Sequence, residues 1–143
     1  MSVKQLSVFV ENKFGRLSDV TELLSENNID ISALSMAETQ DYGILRMIVD
    51  NPRLAAKILS ENGIIVKATD VIAIAVDDKS GGLNAALQVM KNAGISVEYM
   101  YAFVGKSKGQ ALVVLKVSDC EKAIEAFNSE NIKLIPESEI YSI

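Results

Sequence analysis

Two spacings of apolar residues alternate along the chain. Leu6, Val8 and Val10 recur at every second position, with Gln5, Ser7 and Phe9 between them, which marks a strand. After a short glycine turn, Leu17, Val20, Leu23 and Leu24 fall at helical spacing, and Asn27-Asn28 closes that helix. Ile29, Ile31 and Ala33 alternate again; the phase changes at Leu34 and Met36, which predicts a bulge near Ser35. Thr39-Gln40-Asp41-Tyr42-Gly43 reads as a hairpin turn leading to a third strand through Leu45, Met47 and Val49. Asn51-Pro52 is a helix start, Ala55, Ile58 and Leu59 form its apolar face, and Asn62-Gly63 ends it before a fourth strand from Ile64.

The same order then repeats. Ile72, Ile74 and Val76 stand 66 residues after Leu6, Val8 and Val10, and Gly81 stands 66 after Gly15. Leu83, Ala86, Leu87, Met90 and Ala93 make the next helix, closed by Gly94, and Ile95 and Val97 match Ile29 and Ile31. Beyond this the offset is 68: Val113, Leu115 and Val117 answer Leu45, Met47 and Val49, which places two extra residues in the hairpin Gly105–Gly109. Ser118-x-x-Glu121 reads as a capping box for a last helix with Ala123, Ala126 and Phe127 on its apolar side, followed by a strand at Ile132 and Leu134. The tail Glu139–Ile143 reads as one more strand, extending its own sheet or joining another sheet's edge.

Strand, helix, strand, strand, helix, strand, twice over, predicts an α+β chain of two tandem ferredoxin-like βαββαβ units. Each unit is an antiparallel sheet with its helices on one face. The units are expected at 1–69 and 70–143, with almost no linker, because Ile64–Val76 must hold the last strand of one and the first of the next.

Composition narrows the function. The 143 residues are 49% hydrophobic, so a core is expected, and the net charge of −5 disfavours nucleic acid and anionic membrane surfaces. No apolar run approaches the ~20 residues of a membrane span. The opening Met1–Gln5 is too polar and short for a signal sequence, and a single cysteine, Cys120, suits a reducing compartment, so a cytoplasmic protein is expected. Histidine is absent, which removes the commonest general base and metal ligand. No paired cysteines, nucleophile elbow or acidic motif replaces it, so neither catalysis, a metal nor a cofactor is expected. Tyr99, Tyr101 and Phe103 alternate on one strand; sheet packing or an interface explains them better than RNA stacking in an acidic chain.

The two turns carry the remaining chemistry: Asn12-Lys13-Phe14-Gly15-Arg16-Leu17 and Asp78-Lys79-Ser80-Gly81-Gly82-Leu83. Gly15 and Gly81 allow positive φ and a close approach, the helix start behind them favours a carboxylate, and Asn12 or Asp78 presents an acceptor to an ammonium. Such a site suits a zwitterion. A tight strand-to-helix turn with no ligand explains the same residues equally well.

The pattern D/N-x-P-G-x-L after a first strand, with a G-x-N-I-like start to the second, resembles the ACT domain. Here it stands as Asn12-x-Phe14-Gly15-x-Leu17 with Asn28-Ile29-Asp30-Ile31, and as Asp78-x-Ser80-Gly81-x-Leu83 with Gly94-Ile95-Ser96-Val97. Phe14 and Ser80 replace the family's proline, which predicts unequal turns, with the more open and polar Asp78–Leu83 turn better suited to a zwitterion. The resemblance covers nearly the whole chain. It implies a regulatory protein that senses a small amino acid and acts on a metabolic enzyme in trans; a homodimer is expected on any reading, because a small sheet edge left open invites pairing. It also implies sheets placed side by side, with ligand at the seam between a turn and strand two of the partner unit: Ile31, Ser32 and Ala33, or Val97, Glu98 and Tyr99. The alternative is an assembly module that docks a protein and no ligand, to which Tyr99, Tyr101, Phe103 and the tail would contribute.

Overall fold

The computed structural model describes residues 1–38, 41–105 and 109–140. In chain order they form β1 (Val3–Glu11), α1 (Arg16–Glu26), β2 (Ile31–Glu38), β3 (Tyr42–Val49), α2 (Pro52–Glu61) and β4 (Val66–Asp77). There follow α3 (Gly82–Asn92), β5 (Val97–Ala102), β6 (Gln110–Val117), α4 (Cys120–Ser129), β7 (Lys133–Leu134) and α5 (Glu137–Ile140). The strands run β2-β3-β1-β4-β6-β5, with β7 also on β4, and every pairing is antiparallel. This is the tandem ferredoxin-like fold, in α+β form.

One strand does the work of two. Val66–Val71 pair with Val3–Val8 of β1, whereas Ile72–Asp77 pair with Gln110–Leu115 of β6. β4 is thus the fourth strand of the first sheet and the first strand of the second, and the expected pair of abutting strands is one continuous ladder. Lys67 to Asp70, which interrupt the apolar pattern, stay in register with β1, and the Asp70 carboxylate accepts from the Lys4 ammonium at 2.6 Å. The strand begins at Val66 rather than Ile64, because the Ile64 N–H closes α2 by bonding the Leu59 carbonyl. All four long helices end this way. A residue with positive φ (Asn28, Gly63, Gly94 or Asn131) precedes an isoleucine whose N–H returns to Leu24, Leu59, Met90 or Phe127.

Alternation on the strands separates three cores. Leu6, Val8 and Val10 pack with Val20, Leu24, Ala55 and Leu59 under α1 and α2. Ile72, Ile74 and Val76 pack with Ala86, Met90, Ala123 and Phe127 under α3 and α4. The opposite faces form a third core containing Val3, Ala33, Ile48, Val71, Ala73, Ala75, Tyr101, Phe103 and Val114. The two sheets therefore fold face to face, joined along β4, instead of lying side by side as the family resemblance implied. They touch again where Ala33 bridges Phe103 and the Val104 N–H bonds the Ser32 carbonyl at 2.9 Å.

A polar cluster ties these facing sheets. The Gln5 side chain is fully buried. Its amide nitrogen donates to the Tyr99 hydroxyl at 2.8 Å and to Ser7 Oγ at 3.2 Å, and its oxygen accepts from the Tyr101 hydroxyl at 2.7 Å. The Arg46 guanidinium carbon stands 3.8 Å from the centre of the Tyr99 ring. Burial pushes the Tyr101 phenol well above its ordinary value, and Tyr99 adds to the shift while Arg46 opposes it.

Several local expectations shift. The β2 bulge lies between Ile31 and Ala33, earlier than Ser35, and β5 bulges at the matching place between Val97 and Tyr99. It turns Ala33 and Tyr99 toward the inter-sheet core. Asp119, not Ser118, caps α4, accepting from the Lys122 N–H at 3.1 Å; the Ser118 hydroxyl instead accepts from the Ser96 N–H at 3.2 Å. Tyr42 and Gly43 belong to β3, while 39–40, in the expected hairpin turn, lie outside the described residues, as do 106–108 of the other hairpin. The tail is not a strand at its start: after Pro136 the chain turns into α5, with the Glu139 and Ile140 N–H groups on the Pro136 carbonyl. Ile140 is thereby buried in the inter-sheet core, and residues 141–143 lie outside the described ones.

The two glycine turns fold alike. Lys13 and Lys79 N–H groups bond back to the Glu11 and Asp77 carbonyls at 2.7 and 2.9 Å, and Asn12 and Asp78 N–H groups bond the Asp41 and Gly109 carbonyls at 3.4 and 3.0 Å. Gly15 and Gly81 are the helix N-caps, at φ of 81° and 87°, with open space where a Cβ would stand. Gly82 differs: a Cβ there would collide with the Asp77 carbonyl oxygen.

Two predictions follow from this architecture. Gly82→Ala is expected to cost about 3 kcal/mol or more, because the struck atom is backbone, against about 1–2 kcal/mol of backbone strain for Gly15→Ala. Urea unfolding of both variants checks this, and equal losses would contradict it. Tyr101→Phe is expected to cost about 1–2 kcal/mol at neutral pH, by leaving the Gln5 carbonyl oxygen without its donor. A phenol whose folded-state pKa is raised contributes stability that is complete below the unfolded value of 10.0 and is lost as pH rises above it. The variant should therefore show a shallower alkaline loss of stability than the parent in denaturant titrations between pH 8 and 11, about the ordinary tyrosine pKa of ~10.

Candidate functional site

A cleft opens at each glycine turn. The first, of about 580 Å³, lies between the end of β1, the start of α1, the start of β3 and the segment joining α2 to β4. Its apolar walls are Phe9, Val10, Val20, Tyr42, Ile64 and Ile65, with Glu11, Arg16, Asp19 and Asp41 as its charged residues and Asn62-Gly63 completing the lining. The second, of about 340 Å³, lies at the matching place in the other half. It is lined by Ala75, Val76, Asp77, Lys79, Ser80, Gly81, Gly82 and Ala85, together with Gln110, Asn131, Ile132 and Lys133. Both volumes fall within the roughly 300–1,000 Å³ of small-ligand pockets.

Local folding places these groups. β1 ends beside β3, with Glu11 opposite Tyr42, so the strand end and the Asp41–Tyr42 entry meet at the turn. The Phe9 and Tyr42 rings stand 5.8 Å apart, tilted at 54°. The helix cap Gly15 has no side chain to satisfy the first N–H groups of α1, whose first i→i−4 bond runs from Asp19 N–H to the Gly15 carbonyl at 3.0 Å. The Lys13 ammonium lies 2.9 Å from the Glu11 carboxylate, and Arg16 lies 3.9 Å from Glu11 and 3.7 Å from Asp19. The hydrogen bond from Lys13, reinforced by the charges of Lys13 and Arg16, holds the Glu11 carboxyl below its ordinary value.

The structure gathers some nominated residues and separates others. Arg16 lines the first cleft, and Lys79, Ser80, Gly81 and Gly82 line the second. Asn12, Lys13 and Gly15 shape the first turn, and Asp78 the second, through their backbone bonds and caps. Phe14 is fully exposed and stands off the cleft, so its bulk does not close the first turn, and that cleft is the larger of the two. Leu17 is largely exposed, whereas Leu83 packs against the second helical core.

Strand two takes no part in either cleft within the chain. Ile31 packs against the first helical core and Val97 against the second. Ser32 and Ala33 meet β5 and the residues just after it, and the Tyr99 ring lies under Arg46. Glu98 accepts from the Lys116 ammonium at 3.0 Å, a bond that raises the Lys116 pKa. Sequence reasoning missed Phe9, Asp19, Asp41, Tyr42 and Asn62–Ile65. The signal was topological: in a βαββαβ unit the starts of strands three and four lie on either side of the strand-one turn.

Other chemistry is sparse. Burial pushes the Cys120 thiol above its ordinary value, so it holds little thiolate. No cluster of three or more Cys, Asp or Glu able to hold a metal occurs among the described residues. No described helix is long and apolar enough to cross a membrane.

The geometry has close relatives among solved structures. Protein BT0572 from Bacteroides thetaiotaomicron is 40% identical, superposes with a TM-score of 0.94, and is matched over 100% of this chain and 98% of its own. The regulatory subunit of aspartate kinase from Thermus thermophilus (15% identity, TM-score 0.65, 88% and 91% covered) shares the fold. So does its counterpart from Thermus flavus (13% identity, TM-score 0.59, 88% and 90% covered). No curated protein matches the chain in sequence. The family model described as an ACT domain pair matches residues 1–143, and the chain belongs to that family.

Proposed function

We propose that this protein is a non-catalytic regulator, acting in the cytoplasm as two units, 1–69 and 70–143, that binds a small amino acid at its glycine turns. The observation that carries the reading is the recurrence of a cleft at the duplicated turn in both halves, each beside a glycine-capped helix start with charged side chains at hand. An N-terminal helix end favours a carboxylate, and neighbouring carboxylates favour an ammonium. A chain without histidine, whose one thiol is held protonated, has little with which to do chemistry on what it binds. Membership in the ACT pair family and a fold shared with separate regulatory subunits of aspartate kinases support a regulator that acts in trans on a metabolic enzyme. A homodimer follows the same reading.

Protein docking without a ligand draws less support from the described residues. Tyr99, Tyr101 and Phe103 are turned into the inter-sheet core, and Ile140 of the tail closes that core.

Screening the twenty amino acids by thermal shift, on protein refolded to strip any bound ligand, is expected to give a specific rise in Tm for one chemical group of them. Ligand at about 100 Kd adds ~2.7 kcal/mol, several degrees for a chain of this size. No rise with any amino acid at millimolar concentration would contradict the proposal.

A further inference from the structure

The first cleft carries enough chemistry to name the class of its ligand, an inference that rests on the amino-acid reading above. Its charges are unevenly matched. Lys13 is bonded to Glu11 at 2.9 Å, but Arg16 sits 3.7 Å from Asp19 and 3.9 Å from Glu11, too far for charge-assisted hydrogen bonds. The guanidinium, half-exposed and with no close hydrogen bond to either carboxylate, has N–H groups available to a ligand carboxylate. Asp41, which also lines the cleft, is exposed and has no ion-pair partner among the described residues, so its carboxylate is available to a ligand cation.

Between these two charges the wall is apolar. Ile65 is 69% exposed at the cleft, and Tyr42 is 42% exposed beside Phe9, so both offer apolar surface to a ligand there. The second cleft lacks this set. Gly82 stands where the first unit has Arg16, and the Asp77 carbonyl leaves no room for any side chain at that position. Its mouth carries Lys79, Ser80, Gln110 and Lys133 in place of the aromatic pair.

We propose that the first cleft binds an α-amino acid with a branched aliphatic or aromatic side chain, one molecule per chain. The carboxylate pairs with Arg16, the ammonium with Asp41, and the side chain covers Phe9, Tyr42 and Ile65.

Isothermal calorimetry on the full chain tests this with leucine and phenylalanine against alanine, serine, glutamate and lysine, and with isopentylamine and 4-methylpentanoate as ligands lacking one charge. Leucine or phenylalanine is expected to bind at one site per chain, at least about tenfold tighter than alanine or serine, from the extra apolar surface covered. Each single-charge analogue, and each of Asp41→Asn and Arg16→Gln, should weaken binding by about tenfold or more. Both substitutions are at exposed positions, and unaltered thermal unfolding without ligand establishes that the variants fold. Preference for alanine, serine, glutamate or lysine overturns the ligand class while leaving the amino-acid reading intact. Affinity unchanged in both variants overturns the location. Absence of binding by every amino acid overturns this inference and the proposed function together.

Discussion

The fold depends on a single strand that must satisfy two sheets. β4 gives its first half to β1 and its second half to β6 without a break in pairing. Period-two alternation then fixes everything on either side: Val66, Ile72, Ile74 and Val76 face the helical cores, and Val71, Ala73 and Ala75 face the core between the sheets. A slip of one residue would put each set on the wrong face. With no linker to absorb a change of angle, the sheets fold toward each other, and their inner faces must be apolar or fully hydrogen-bonded. The Gln5, Tyr99 and Tyr101 cluster meets the second condition, and no buried side-chain polar atom among the described residues lacks a partner.

This joint also sets where the clefts lie. Ile64 and Ile65 lead into β4 and line the first cleft; Ala75 to Asp77 end it and line the second. The two sites therefore stand near opposite ends of one strand, on the order of 35 Å apart along it. Duplication supplied two copies of the turn, with the same backbone bonds and the same left-handed glycine cap. Side chains then made them unequal: Arg16 in one, a glycine hemmed in by backbone in the other.

Much of this was legible in the sequence, because it is written in short-range periodicity. The 66-residue offset between Gly15 and Gly81 disclosed the tandem units, and Asn28, Gly63 and Gly94 marked three helix ends, where each adopts positive φ. What was hidden depends on contacts between distant residues. The continuity of β4 rests on pairing of Lys67–Asp70 with β1, which the polar interruption disguised. The tail's Ile140 is drawn into a core made by both sheets, so local β pattern lost to Pro136 and to burial. A cleft lies at each of the two turns singled out in the sequence, but half the lining of the first, including Asp41, Tyr42 and Ile65, comes from segments brought there by topology. The nominated strand-two residues Ala33 and Tyr99 were drawn away from the turns by the matching bulges.

The most direct measurement is a backbone amide chemical-shift map of the isotope-labelled full chain titrated with leucine or phenylalanine. The account predicts saturable shifts concentrated at Gly15–Asp19, Asp41–Tyr42 and Gly63–Ile65, the residues of the first cleft and of the helix start beside it. Shifts confined to Ser80–Gly82 and Asn131–Lys133, or none at millimolar ligand, would contradict it.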